Sequence, residues 1–348
     1  MLQSTESNGR VHFAPLQTQD FPIASRTVQL KTSAGGSFTA VQIGQANGVR
    51  IQGREVVGIL VTAAHCVVEE WEGAGMQIAP VEPFAGIEIL AVPRVQTMLE
   101  DPISGNSVLL ERPLALLIGY GNSVLPPSHP LWSNSLSPLF SCALVGTPHY
   151  DLPIHLFPAC TRHSIDTQAG ISRQLHLEVY QNYGKKLVGR GIAVHRKGSI
   201  AVYISASVGM SGAPLYEVKD GVNRLVGVLV CGPLSQEYAA LLGIVRAVSE
   251  GDFPTATACL LELRQLSPKL AKTLPSLLSK HTQFTVLRRL NSAIPRLLSR
   301  STSSGYNLGI SIDSPAFHLI RQWSDRLSDL HGDFKSVTSL LAALHCTS

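Results

Sequence analysis

Gly209-Met210-Ser211-Gly212-Ala213-Pro214 and, far upstream, Val61-Thr62-Ala63-Ala64-His65-Cys66 are the two stretches that decide how this chain is read. A serine hydroxyl is a poor nucleophile at neutral pH. It needs a neighbouring base and preorganised donors for the oxyanion it creates. Gly209 allows a tight turn that brings the backbone N–H groups of Gly209 and Ser211 to one point, and Gly212 and Pro214 shape its exit. The histidine stretch follows an apolar run at 56–60, so His65 is expected at a strand end, among small residues, with its ring facing a cleft. Taken singly, the first is a Gly/Ser/Pro surface loop and the second a hydrogen-bonded histidine. Together they supply a nucleophile and a base.

Working outward, the chain between 26 and 248 reads as many short strands. Apolar runs at 56–61, 87–92, 114–118, 143–145, 175–179, 200–204 and 225–230 alternate with Gly, Pro, Asn and Ser clusters. Strands of this length separated by turn signals predict an all-β barrel or sandwich. After Pro254 the period changes. Segments at 258–266, 270–278 and 286–298 place apolar residues at helical spacing, punctuated by Pro268, Pro275 and Pro295, and a last amphipathic pattern runs from 314 to 344. The expected organisation is a polar N-terminal tail at 1–25, a β domain at 26–250 and a basic helical region at 255–348.

The two motifs resemble those of the trypsin/chymotrypsin-like serine protease family, in a divergent form of intracellular or viral type. Thr62-Ala63-Ala64-His65-Cys66 matches the family's histidine motif in full, and Gly209 to Pro214 matches its serine motif in altered form. The order His before Ser also suits this family; subtilisin-like enzymes and α/β-hydrolases use other orders. The resemblance covers roughly 26–250. It implies a mostly β fold of two six-stranded antiparallel barrels with the site between them. His65 would be the general base, Ser211 the nucleophile, and the N–H groups of Gly209 and Ser211 the oxyanion hole. Residues 226–232 look like the strand lining the specificity pocket, and 242–248 like the last barrel strand. The pocket would then comprise Ser205 at its floor with Val230 and Gly232 on its wall. No acidic floor is present, so an apolar P1 residue is expected.

Three departures from the family pattern matter. The triad acid normally stands directly before a run such as Leu114-Ala115-Leu116-Leu117, and here that position is Pro113. Glu111, two residues upstream, would point to the same side of an extended chain. Asp101 lies after His65 at a separation close to that in some compact viral relatives. Either carboxylate, or neither, could orient the imidazole. Second, no activation-cleavage sequence precedes His65, and Met210 replaces the aspartate that would receive a new N-terminus. Third, no cysteine precedes Cys66, so its usual disulfide is missing.

Composition sets the remaining bounds. With 348 residues, 45% hydrophobic and 15% charged, the chain is globular in character and not disordered. Six scattered cysteines without a CxxC pair lack the spacing of a zinc site and read as reduced thiols, so neither metal nor cofactor is expected. The first residues are polar and lack the apolar run of about 7–15 residues that a signal peptide needs, which points to an intracellular, cytoplasmic location. No window reaches the roughly 18 apolar residues of a membrane span. The net charge of +4 is concentrated between Arg264 and Arg300, a stretch with no Asp or Glu. It reads as a solvated basic face that could recruit an acidic partner. Phe284 is its only aromatic residue, so base stacking on nucleic acid is not expected. The expected partner is a polypeptide substrate; the alternative is an inactive barrel that binds peptides.

Overall fold

The chain is mostly β, built from two curved sheets with few helices. The computed structural model describes residues 13–32, 37–67, 78–80, 84–121, 132–133, 135–147, 186–204, 206, 209–231, 240, 243–244, 247, 251–266, 268, 271–272 and 306–346. β1 (Phe13–Pro15) belongs to the second sheet. The first sheet contains β2 (Thr27–Thr32), β3 (Ser37–Gly44), β4 (Val49–Ile51), β5 (Arg54–Ala63), β6 (Ile78–Pro80) and β7 (Gly86–Ala91). β8 (Thr97–Glu100) and β9 (Ser107–Leu110) form a separate hairpin, and β10 (Leu114–Tyr120) returns to the first sheet between β5 and β7. All seven residues of β10 are buried, as expected of a strand covered on both faces. Among the described residues β6 and β7 approach each other without pairing, so this sheet curls without a hydrogen-bonded closure there.

The second sheet closes. β11 (Leu139–Gly146), β12 (Leu187–Arg196), β13 (Ser199–Val202), β14 (Pro214–Lys219), β15 (Val222–Cys231) and β16 (Asn307–Ser311) follow the order β12-β11-β14-β15-β16-β13, and β13 pairs back onto β12. The result is a closed six-stranded antiparallel barrel, consistent with the chymotrypsin-like expectation; of the two closed barrels expected, this is the one that hydrogen bonds complete. Its turns were written in the sequence. Lys197-Gly198 and Asp220-Gly221 each join neighbouring strands through two residues of positive φ, the geometry that matches strand twist. Phe140, Leu144, Ile200, Met210, Leu215 and Val226 fill the interior.

Two expectations about the ends of the domain do not hold. Residues 242–248 are not the last barrel strand: Gly243, Ile244 and Ala247 are helical, and the closing strand is β16, which lies inside the region expected to be helical but between the segments given helical spacing. The periodicity reading failed because β16 is a short, fully buried run with no alternation to mark it. Nor is 1–25 a tail as far as it is described. β1 pairs with β12, buried Asp20 forms an ion pair with Arg190, and Ile23 and Ala24 join the core. α1 (Phe21–Ala24) is a single turn leading into β2.

Helices lie in the C-terminal part of the described chain. α2 (Phe253–Leu266) lies between β15 and β16, and α3 (Pro315–Asp329) begins at Ser314, whose hydroxyl caps the Phe317 N–H. Phe317, Ile320 and Leu327 have no exposed surface, and each such side chain stabilises by about 1.5–3 kcal/mol on burial. α3 rests on β3 and β10. β17 (Gly332–Phe334) then pairs in parallel with β4, and α4 (Val337–Cys346) packs against α3. One segment, 306–346, therefore closes the second sheet and covers the first. No described helix is long and apolar enough to cross a membrane.

Candidate active site

The serine turn lies between β13 and β14. Gly209 and Gly212 both adopt positive φ, +89° and +84°. At Gly212 a side chain is excluded outright: a Cβ would sit 2.0 Å from the Thr39 carbonyl oxygen and 2.1 Å from the Thr62 hydroxyl. Met210 is fully buried in the barrel interior, close to Gly146 and Ala213. The turn is tied to its own barrel by three backbone bonds. Ala213 N–H donates to the Met210 carbonyl (2.9 Å), Gly212 N–H to Leu229 (2.8 Å), and Leu229 N–H to Ala213 (2.8 Å).

The same turn is also bonded to the first sheet. Thr39 of β3 donates its N–H to the Ser211 carbonyl (2.9 Å) and its hydroxyl to the Gly209 carbonyl (2.7 Å). Thr62 of β5 donates its hydroxyl to the Thr39 carbonyl (2.7 Å). Both threonines are completely buried. Thr62 opens the histidine motif, and three residues later His65 stands on the 3-10 turn Ala64–Cys66 that ends β5. The serine motif and the histidine motif thus meet through two buried threonines. Thr62 lay within the quoted motif; Thr39, in an ordinary-looking strand, carried no signal.

His65 is exposed, and Ser211 is half-buried. Neither side chain makes a hydrogen bond among the described residues. The protein packed around the imidazole disfavours its charged form and pushes its pKa down, to about 4. The exposed surface of the ring keeps part of its hydration. The direction also agrees with the surroundings: no described carboxylate is paired with the ring.

Among the described residues neither of the two carboxylates considered for the acid is hydrogen-bonded to His65. Glu111 is exposed. Asp101 is fully buried and accepts four hydrogen bonds, from the N–H groups of Ile103 (2.9 Å) and Ser104 (3.3 Å) and the hydroxyls of Ser104 (2.7 Å) and Tyr306 (2.8 Å). It is close enough to raise the Cys231 thiol, which burial chiefly pushes up to about 12. Pro113, where the family's acid would stand, is buried and accepts the Ala64 N–H at 3.1 Å. Of the pocket residues, Val230 is buried at the end of β15; Ser205 and Gly232 lie outside the described residues, as does most of the basic stretch 264–300. Asn307, at the start of β16, donates its amide to the Ile204 carbonyl (2.6 Å), just past the end of β13. The sequence reading missed it because it placed 307 in a helical region.

Cys66, Cys142, Cys231 and Cys259 are thiols. Among the described residues no group of three His, Cys, Asp or Glu side chains could hold a metal ion.

No protein-family model matches the chain, and no curated protein does. Among solved structures it is similar to Rv3671c from M. tuberculosis H37Rv, in the inactive form of a serine-to-alanine mutant, with a TM-score of 0.35 and 11% identity over 64% of this chain and 86% of that one. It is also similar to Deg5, with a TM-score of 0.34 and 15% identity over 61% of this chain and 82% of that one. At this distance the two add nothing to what the strand order and the threonine contacts already say about the molecule.

Proposed function

We propose that the chain is a serine endopeptidase in which Ser211 is the nucleophile and His65 the general base. The observation that carries this reading is the bonding of the serine turn to Thr39 of β3, which is itself bonded to Thr62 of β5, the strand that ends in the histidine turn. A hydrolase needs those two groups held in one frame. In the proposed reaction Ser211 Oγ attacks the scissile carbonyl carbon while His65 takes its proton. The oxyanion is received by the N–H groups of Gly209 and Ser211. Collapse of the adduct breaks the C–N bond, and His65 returns the proton to the leaving amine. Water, deprotonated by His65, then releases the acyl group and restores the Ser211 hydroxyl.

The chemistry runs as a dyad in this proposal, because the oxygens of Asp101 are already occupied and Glu111 is solvent-exposed. With Ser205 and no acidic residue at the expected pocket floor, an apolar P1 residue is the proposed preference. The deciding experiment is labelling with a fluorophosphonate, which needs an activated serine. The wild-type chain should label, and Ser211→Ala and His65→Ala should not. A folded wild-type chain that stays unlabelled would instead identify a barrel that binds peptides without cleaving them.

A further inference from the structure

We infer that Thr39 is a positioning residue for the oxyanion-binding amides, an assignment that rests on the hydrolase reading of Ser211. The turn contains three consecutive peptide planes, and in a trans peptide the N–H points opposite to the carbonyl. The plane between Met210 and Ser211 is fixed by the Met210 carbonyl, which accepts from Ala213. Its opposite edge, the Ser211 N–H, donates to no described group and is left for a ligand. The plane between Ser211 and Gly212 is fixed on both edges, by the Thr39 N–H on one side and by Leu229 on the other. The plane between Gly209 and Met210 has the Thr39 hydroxyl on its carbonyl.

That last contact matters most, because it lies beside the most permissive hinge in the turn. Gly209, at φ +89°, has no Cβ to limit rotation, and the orientation of its own N–H depends on what holds the plane next to it. Thr39 is completely buried, so no water stands ready to replace its hydroxyl. Thr62, bonded to the Thr39 carbonyl, holds Thr39 itself in place. One residue of the first sheet thereby sets the orientation of a turn belonging to the second. The side chain and main chain of Thr39 have separable tasks: substitution by valine keeps the shape and the N–H bond to Ser211 but leaves the Gly209 carbonyl without its donor.

The test compares fluorophosphonate labelling of the full chain with that of Thr39→Val, Thr39→Ser and Thr27→Val, separating the maximal inactivation rate from the concentration giving half of it. Thr27 is the control, an equally buried threonine whose hydroxyl donates to the Ile23 carbonyl at 2.9 Å. Thr39→Val should label at least about tenfold more slowly at saturation with little change in half-saturation, while Thr39→Ser and Thr27→Val stay within about twofold of wild type. Thr39→Val labelling at the wild-type rate would overturn the inference. So would an equal loss in Thr27→Val, which would reduce the effect to general destabilisation. If Thr39→Val does not fold, Thr39→Ser decides: normal labelling supports the role of the hydroxyl, and slow labelling overturns it. A wild-type chain that does not label removes the hydrolase reading and this inference with it, an outcome distinct from any change confined to the Thr39 variants.

Discussion

Ala64 N–H donates to the Pro113 carbonyl at 3.1 Å, so the residue flanking the histidine turn on the neighbouring strand offers His65 a backbone and no carboxylate. An imidazole without such a partner is held less firmly in one tautomer, and its cation is less stabilised in the transition state. Pro113→Asp would restore the acid next to the turn. A buried carboxylate is costly unless it is paired, and its expected partner is His65. The expected outcome is fluorophosphonate labelling faster by about tenfold or more in a chain that still unfolds cooperatively. Labelling unchanged or slower in a folded Pro113→Asp chain would show that the missing acid does not limit the reaction.

The pH dependence of labelling should also be unusual. His65 must be neutral to take the Ser211 proton, and its surroundings lower its pKa from the ordinary 6.5. The acidic limb of the labelling profile should therefore fall at a pH below 6.5, in the direction of about 4. Stability follows the same sign. As pH drops below the unfolded value, the unfolded chain takes up a proton that folded His65 resists, so the folded state loses stability from there downward. In Pro113→Asp the limb should move up, since a nearby carboxylate favours the imidazolium. A wild-type limb centred at or above 6.5 would contradict this account.

The Asp101 network predicts a structural effect where an acid of a triad would give a catalytic one. Tyr306→Phe removes one hydroxyl donor to a fully buried carboxylate, and a bond to a charged group contributes about 1.5–3 kcal/mol. Urea unfolding should show a loss of that size. Glu111→Gln, at an exposed position, should change stability by no more than about 0.5 kcal/mol and leave labelling intact. A large fall in labelling for Glu111→Gln, with stability unchanged, would restore Glu111 as the acid.

These particulars show what the sequence could and could not disclose. The hairpin at Asp220-Gly221 carries a favoured two-residue turn pair, whereas Lys197-Gly198, with a non-glycine residue at positive φ, carries a weaker one. The serine turn was legible because Gly212 tolerates no Cβ where it crosses Thr39 and Thr62. The Thr39 contact was not, since nothing local distinguishes a strand threonine that reaches another sheet from one that does not. The partners of Asp101 were equally hidden: Tyr306 is far away in sequence, and only barrel closure by β16 brings the two together. β16 itself escaped because a short strand buried along its whole length has no period to read.

The last prediction concerns that strand. The change of period after Pro254, read from the sequence, suggests a separate helical layer not needed for the catalytic groups, which a truncated chain could lose. In the fold, β16 pairs with β13 along Ser199–Val202 and with β15 from Gly227 to Cys231, and it supplies the contacts that close the barrel. Removing it opens two strand edges, one of them on β15, whose Leu229 is bonded to the serine turn through Gly212 and Ala213. The same deletion uncovers the face of β3 and β10 on which α3 buries Phe317, Ile320 and Leu327. Exposed apolar surface next to unpaired edges favours association with other chains. A chain ending at 254 should therefore be aggregated or molten, with neither cooperative unfolding nor fluorophosphonate labelling. Supplying 306–346 in trans during refolding should restore both, because that segment carries β16, α3 and β17 together. A soluble, labelling-competent chain ending at 254 would mean that the barrel closes without β16 and that the helical region is dispensable after all.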